Sequence, residues 1–134
     1  MTDLTALAER VEGLQAPCRE TDGLVFMALV EEPGDVWCDD FDGWARQDPD
    51  DAFMWELPPE FTASLDAVVA LIGKKLPGAR CEIVIGNDFS SARIVTGWGA
   101  RKRVLAAPVE RPDSHAAICA VAATLRALGE SHDR

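Results

Sequence analysis

Tyrosine is missing altogether, and histidine occurs only twice. A chain so poor in groups that titrate near neutral pH has few candidates for a proton shuttle. No glycine-rich phosphate loop, paired zinc-protease histidines or nucleophile-elbow serine is present, so the common nucleotide-binding and hydrolytic signatures are absent. The four cysteines, Cys18, Cys38, Cys81 and Cys119, stand 20, 43 and 38 positions apart. No two are spaced as CxxC, which excludes zinc-ribbon and thioredoxin-type motifs and leaves free, largely buried thiols as the expectation. No apolar run approaches the ~20 residues of a membrane helix. The opening "MTDLTALAERVEGL" lacks a basic segment followed by an apolar block, so a cytoplasmic protein is expected.

Bases are scarce in the first half. Residues 1–60 hold 16 acids and 3 bases, a charge of −13, whereas residues 61–134 hold 7 acids and 10 bases, a charge of +3. The net −10 therefore belongs to the first half. Direct nucleic-acid binding by the whole molecule is disfavoured, because the phosphate term would be repulsive. With 134 residues, 48 % of them hydrophobic, the chain reads as one domain over 1–134 with a real core.

Leu4, Leu7, Val11 and Leu14 recur at steps of three and four and predict a helix over 3–14, closed near Gly13 and Pro17. "RETDGLVFMALVEE" predicts a second helix over 19–32, stopped by Pro33-Gly34. Residues 33–59 keep neither helical nor strand period. They read as a long irregular acidic and aromatic segment, with at most a short strand around Phe53–Leu57. "EFTASLDAVVALIGKKL" predicts a third helix, capped by Thr62 or Ser64, with Phe61, Leu65, Val68, Val69, Ile72 and Leu76 on one face. Period 2 then takes over in 79–86, 91–98 and 102–107, three strands of an antiparallel meander. An alanine-rich helix over 112–129 closes the chain, capped by Asp113 or Ser114, with Ile118, Val121, Ala122, Leu125 and Leu128 inward and Gly129 at its end. The order α-α-loop-α-β-β-β-α makes an α+β domain, expected as a helix/sheet/helix sandwich.

Several of these pieces, "RETDGLVFMAL" (19–29), "FTASLDAVVALI" (61–72), Gly97-Trp98 and "SHAAICAVAATLRAL" (114–128), come in the order of a known family. In them the chain resembles the phage ABA-sandwich domains, small proteins of phages and of bacterial genomes carrying prophages. Thr-Pro often opens the last helix of that family, where this chain has Ser114-His115, and the family's tryptophan-rich strand after the third helix is missing. The resemblance implies a sheet sandwiched by helices in a bacterial host cell. It implies no activity, no cofactor and no catalytic residue.

The segment "DVWCDDFDGWARQDPDD", Asp35 to Asp51, carries seven aspartates, two tryptophans and a phenylalanine in seventeen positions. A calcium loop does not fit. With Gly43 at position six, Cys38 falls at position one and Pro49 at twelve, where a bidentate glutamate is needed. Trp37, Phe41 and Trp44, three or four apart, would share one side of a helical turn, with the aspartates opposite. One reading is a solvated loop pinned to the core by its rings. The other is an acidic–aromatic contact surface of Trp37, Asp39, Asp40, Asp42, Trp44, Asp48, Asp50 and Asp51 for a protein partner, basic in character. A narrower alternative is an acidic mimic of nucleic acid that inhibits a nucleic-acid enzyme. A thiol- or metal-dependent enzyme would have to use His115 and Cys119, at i and i+4, together with Cys38. No cofactor is expected and no catalytic residue is assigned. "GWGARKR" (97–103), with Arg80 and Arg93, would give a basic sheet face beside Trp98, or simply edge and turn charges. Attraction between the acidic and basic halves would make a homodimer.

Overall fold

A computed structural model describes residues 3–30, 35–38, 43–48, 51–56 and 60–132. For Met27, Val30, the stretches between 35 and 56, and residues 130–132, the description is of the backbone. Among the described residues four α-helices are seen: α1 (Leu4–Glu12), α2 (Arg19–Val30), α3 (Leu65–Lys75) and α4 (Ala116–His132). A first antiparallel sheet has the order β1 (Asp35–Cys38), β2 (Gly43–Asp48), β3 (Asp51–Glu56). A second is built on β5 (Ser90–Thr96), with β4 (Ala79–Ile85) along one edge and β6 (Arg103–Val104) and β7 (Val109–Arg111) sharing the other. The α+β class and the antiparallel meander are those indicated by the sequence.

The helix ends follow local chemistry. Asp3 caps α1, its Oδ1 accepting from the Thr5 and Ala6 N–H groups at 3.0 and 3.1 Å. Gly13 closes the same helix. Ser64 caps α3, its Oγ accepting from the Ala67 N–H, while Lys74 and Lys75 sit in the last turn where the helix dipole favours cations. On α3 the inward residues are Val68, Leu71 and Ile72, with Phe61 just ahead of the helix; Val69, expected inside, is exposed. A helix of 3.6 residues per turn anchored on Val68 and Ile72 brings Leu71 to that stripe and carries Val69 round to solvent.

The centre of the molecule is α4. Ile118, Val121, Ala122, Leu125 and Leu128 are buried as expected, but so are Ala116, Ala117, Cys119, Ala120, Ala123, Thr124 and Ala127. A helix buried nearly all round is a middle layer: α4 lies between the second sheet on one side and α1 on the other, with α3 against it. Small alanine side chains let these neighbours approach. Gly129, expected to end this helix, lies inside it, and α4 runs on to His132. A Cβ there would meet Thr5 Oγ1 at 3.4 Å and Leu4 Cβ at 3.6 Å, ordinary van der Waals contact with α1.

Buried polar groups tie distant segments together. Asp22, 1 % exposed, accepts through Oδ1 from the Thr62 N–H and hydroxyl, both at 2.8 Å, and through Oδ2 from Arg19 Nη1 at 2.9 Å. The Thr62 hydroxyl accepts in turn from the Cys18 N–H at 2.9 Å. This knot fixes the start of α2 to the approach of α3. At the other end Arg111, 7 % exposed, donates to Asp113 and to the Glu12 and Leu14 carbonyls just beyond α1.

Two expectations are corrected. Residues 33–59 are not one irregular segment, since 35–38, 43–48 and 51–56 form the three strands of the first sheet. Aspartate and glycine have low strand propensity and masked three short strands whose interiors, Val36-Trp37, Trp44-Ala45 and Phe53–Trp55, are apolar. The expected third strand over 102–107 is reduced to 103–104, and a further strand, 109–111, not expected, takes the rest of that edge. Val95 pairs with Val104 but Ala92 with Val109, so two extra residues enter that edge between β6 and β7.

The link from β5 to β6 depends on Gly97 (φ +75°), where a Cβ would lie 2.3 Å from the Arg101 carbonyl oxygen. Gly97→Ala is expected to cost about 2–3 kcal/mol. Gly73, inside α3 with no atom within 4 Å of an added Cβ, is the opposite case, and Gly73→Ala should gain about 0.5–1 kcal/mol. Paired urea midpoints check both, and equal effects would contradict the fold around Gly97.

Candidate interaction surfaces

The first surface is the acidic segment. Trp37 is on β1, Trp44 and Asp48 on β2, and Asp51 on β3; Asp39, Asp40, Asp42, Asp50 and Phe41 lie outside the described residues. The expected helical turn is overturned, because Trp37 and Trp44 are Cα partners on antiparallel strands, directly opposite each other in the register. They occupy one face of the ladder through pairing, not through helical spacing. Asp35 is opposite Arg46, and Arg46 opposite Glu56, so the single base of the segment stands between two acids. β2 runs beside α2.

The second surface is the side of the second sheet turned away from α4. Strand alternation sends Ala79, Cys81 and Ile83 of β4, with Ala92 and Ile94 of β5, toward the helices. Arg80, Glu82, Val84, Arg93 and Val104 take the other face. The Arg80 guanidinium lies 3.7 Å from the centroid of the Trp98 ring and donates from Nη1 to the Gly97 carbonyl at 2.8 Å. Glu82 collects three cations: Arg93 Nε at 2.7 Å, Lys102 Nζ at 2.9 Å and Arg80 Nη2 at 3.5 Å. The hydrogen bonds from Lys102 and then Arg93 hold its carboxyl down at about 2. Arg101 and Arg103 have no ion-pair partner among the described residues and are exposed. Trp98 is 76 % exposed, and Val84 and Val104 are exposed on the same face. Of the two sequence readings of "GWGARKR" with Arg80 and Arg93, turn charges or a basic sheet face beside Trp98, the structure brings Trp98 and Lys102 together with Arg80 and Arg93, while Arg103, opposite Thr96, takes the helix-facing side. Strand pairing is what sets Arg93 across from Glu82.

The third place holds the metal and thiol candidates. His115 precedes α4 rather than riding on it, and its Nδ1 is 3.5 Å from Asp113 Oδ2, a carboxylate already engaged by Arg111. Cys119 is fully buried, its Sγ 3.3 Å from Ser90 Oγ. Burial pushes its thiol up, against the opposing hydrogen bond from Ser90. Burial, then the neighbouring Cys119 and Glu82, push Cys81 up to about 11. Among the described residues no three His, Cys, Asp or Glu side chains cluster to hold a metal ion, and Cys38, the third residue of that reading, has no described side chain. Both thiols are held protonated near neutral pH, the state opposite to that of an activated nucleophile. Ellman's reagent at pH 8 should therefore label Cys81 and Cys119 at least a hundredfold more slowly in the native protein than in urea. Equal rates would overturn this placement.

No family model, curated protein or solved structure matches the chain.

Proposed function

We propose that this chain is an accessory protein of the phage and prophage type that acts by protein contact, through the acidic–aromatic segment Asp35–Asp51. The observation that carries the reading is the opposition of Trp37 and Trp44 across β1 and β2, inside a stretch of seven aspartates. Aromatic pairs of this kind make the anchors of interfaces, and a concentrated acidic field speeds and orients the approach of a basic partner. The charge asymmetry of −13 against +3 points the same way. The phage origin rests on the segment resemblance, and a bacterial cytoplasm is the setting it implies.

The test is affinity capture from a bacterial host extract with the wild type and with Trp37→Ala/Trp44→Ala, after circular dichroism has established that the variant folds. One prominent captured protein should disappear with the variant and should also be released by salt. An unchanged capture pattern would leave the segment with a structural role alone.

A further inference from the structure

We propose that the open basic face of the second sheet, centred on Trp98 and Arg80, is a docking surface for the acidic segment of a second copy of this chain. This deepens the preceding reading and rests on it for the acidic half of the contact.

The face is built and it is unbalanced. Arg80, Arg93 and Lys102 surround one carboxylate, Glu82, with Arg101 in the turn just before Lys102, and the next acid on that face among the described residues, Glu110, stands across from Ser91 on the other side of β5. Glu82 fixes three of the cations in position without neutralising the cluster, which keeps a surplus of positive charge. Arg80 covers one side of the Trp98 indole, and the 76 % exposure leaves most of the ring to solvent. Val104, opposite Val95, and Val84, opposite Ser91 toward the far end of the strand pair, add exposed apolar surface to the same face. An exposed tryptophan amid arginines, bordered by small apolar side chains, is the composition of an interface centre.

The chain itself carries the complement. Seven aspartates and a facing tryptophan pair lie within seventeen residues, while the surplus cations lie within twenty-four, 80–103. Among the described residues no strand of the first sheet packs on the second, and β2 is placed beside α2. The two surfaces are complementary in charge, and contact between copies brings them together. Donor and acceptor surfaces differ, so the contact is heterologous. It closes as a ring or as a two-fold pair that makes it twice.

The experiment is sedimentation velocity on the full chain at low salt and at about 0.5 M salt, where the screening length falls to a few ångströms. The wild type should self-associate at low salt, with the dissociation constant rising at least tenfold at high salt. Arg101→Glu/Lys102→Glu should be monomeric, and so should Asp48→Lys/Asp51→Lys. Mixing these two variants should restore a complex, because each keeps the surface the other lost. Arg101 and Lys102 are exposed in the turn between β5 and β6, and circular dichroism verifies that their replacement leaves the fold intact. Trp98→Ala should weaken association at least tenfold. A wild type that stays monomeric at low salt overturns the proposal, as does association unchanged in both charge variants. Binding of an oligonucleotide to the wild type, lost in Arg101→Glu/Lys102→Glu while the protein remains monomeric, would assign the face to nucleic acid instead and equally overturn it. If the wild type is monomeric but partner capture still requires Trp37 and Trp44, this inference fails while the proposed function stands. If the charge pairs exchange but capture is indifferent to both tryptophans, the reverse holds.

Discussion

Asp22→Ala should lower the stability of the fold by about 3 kcal/mol, enough to move the thermal midpoint by roughly 10 °C for a chain of this size. The carboxylate is 1 % exposed, and its loss strands the Thr62 N–H in a site water does not reach. The Thr62 hydroxyl keeps one acceptor, the Cys18 carbonyl at 3.3 Å, so the cost falls mainly on the amide and on Arg19 Nη1, which loses its 2.9 Å partner. Asp22→Asn retains an acceptor oxygen toward Thr62 but can turn an amide donor toward Arg19, and should cost about 1 kcal/mol. Urea unfolding separates the two, with an unchanged slope expected because the surface exposed on unfolding is the same. Hydrogen exchange at the Thr62 amide gives a local readout. A stable Asp22→Ala protein with full protection at Thr62 would refute the knot.

Arg111→Ala should cost about 3–4 kcal/mol. The guanidinium donates to the Glu12 and Leu14 carbonyls, which lie ninety-nine and ninety-seven positions away in sequence, and forms a forked pair with Asp113. Removing it orphans two carbonyls and deletes a buried aliphatic stem. Arg111→Lys supplies one compact donor where a planar fork is required and should recover less than half of the loss. The pair also sets a pH dependence. The Arg111 hydrogen bonds hold the Asp113 carboxyl at about 2, below its ordinary 3.8, and the His115 N–H assists. A depressed carboxylate contributes stability above its unfolded value and loses it as pH falls through the folded one. The wild type should therefore lose part of its thermal stability between about pH 4 and pH 2, and Arg111→Ala should lose less over the same window. Parallel acid titrations of the two midpoints check this; identical slopes would show that the pair is not formed.

The helices were legible because each solves a local problem. The apolar stripe of 4–14 and the Ser64 cap with Lys74 and Lys75 at the other end carry their period and their stops within a few residues, and the alanine-rich 116–128 carries its period, though not its stop. Strands β4 and β5 were legible for the same reason, since alternation is local. The first sheet was hidden. Its strands are four to six residues long, and the aspartates that bound them in sequence dominate the composition, so turn chemistry was visible and strand character was not. The tryptophan pair shows the consequence: a separation of seven suggests helical neighbours, whereas antiparallel pairing makes the same two residues direct partners.

What the sequence determined by itself was chemistry with short reach: an acidic first half, a basic 80–103, free thiols among the described cysteines, the class of the fold and where most elements start. The tertiary structure decided everything that needs two distant segments to meet. Gly129 lies inside α4 beside Leu4 and Thr5 of α1, and Cys119 faces Ser90 because α4 packs on β5. Glu82 is shared by Arg80, Arg93 and Lys102 only because strand pairing and the following turn collect residues twenty-two positions apart. Propensity and periodicity act over a few residues, but packing and charge pairing act across space, and one linear reading carries only the first.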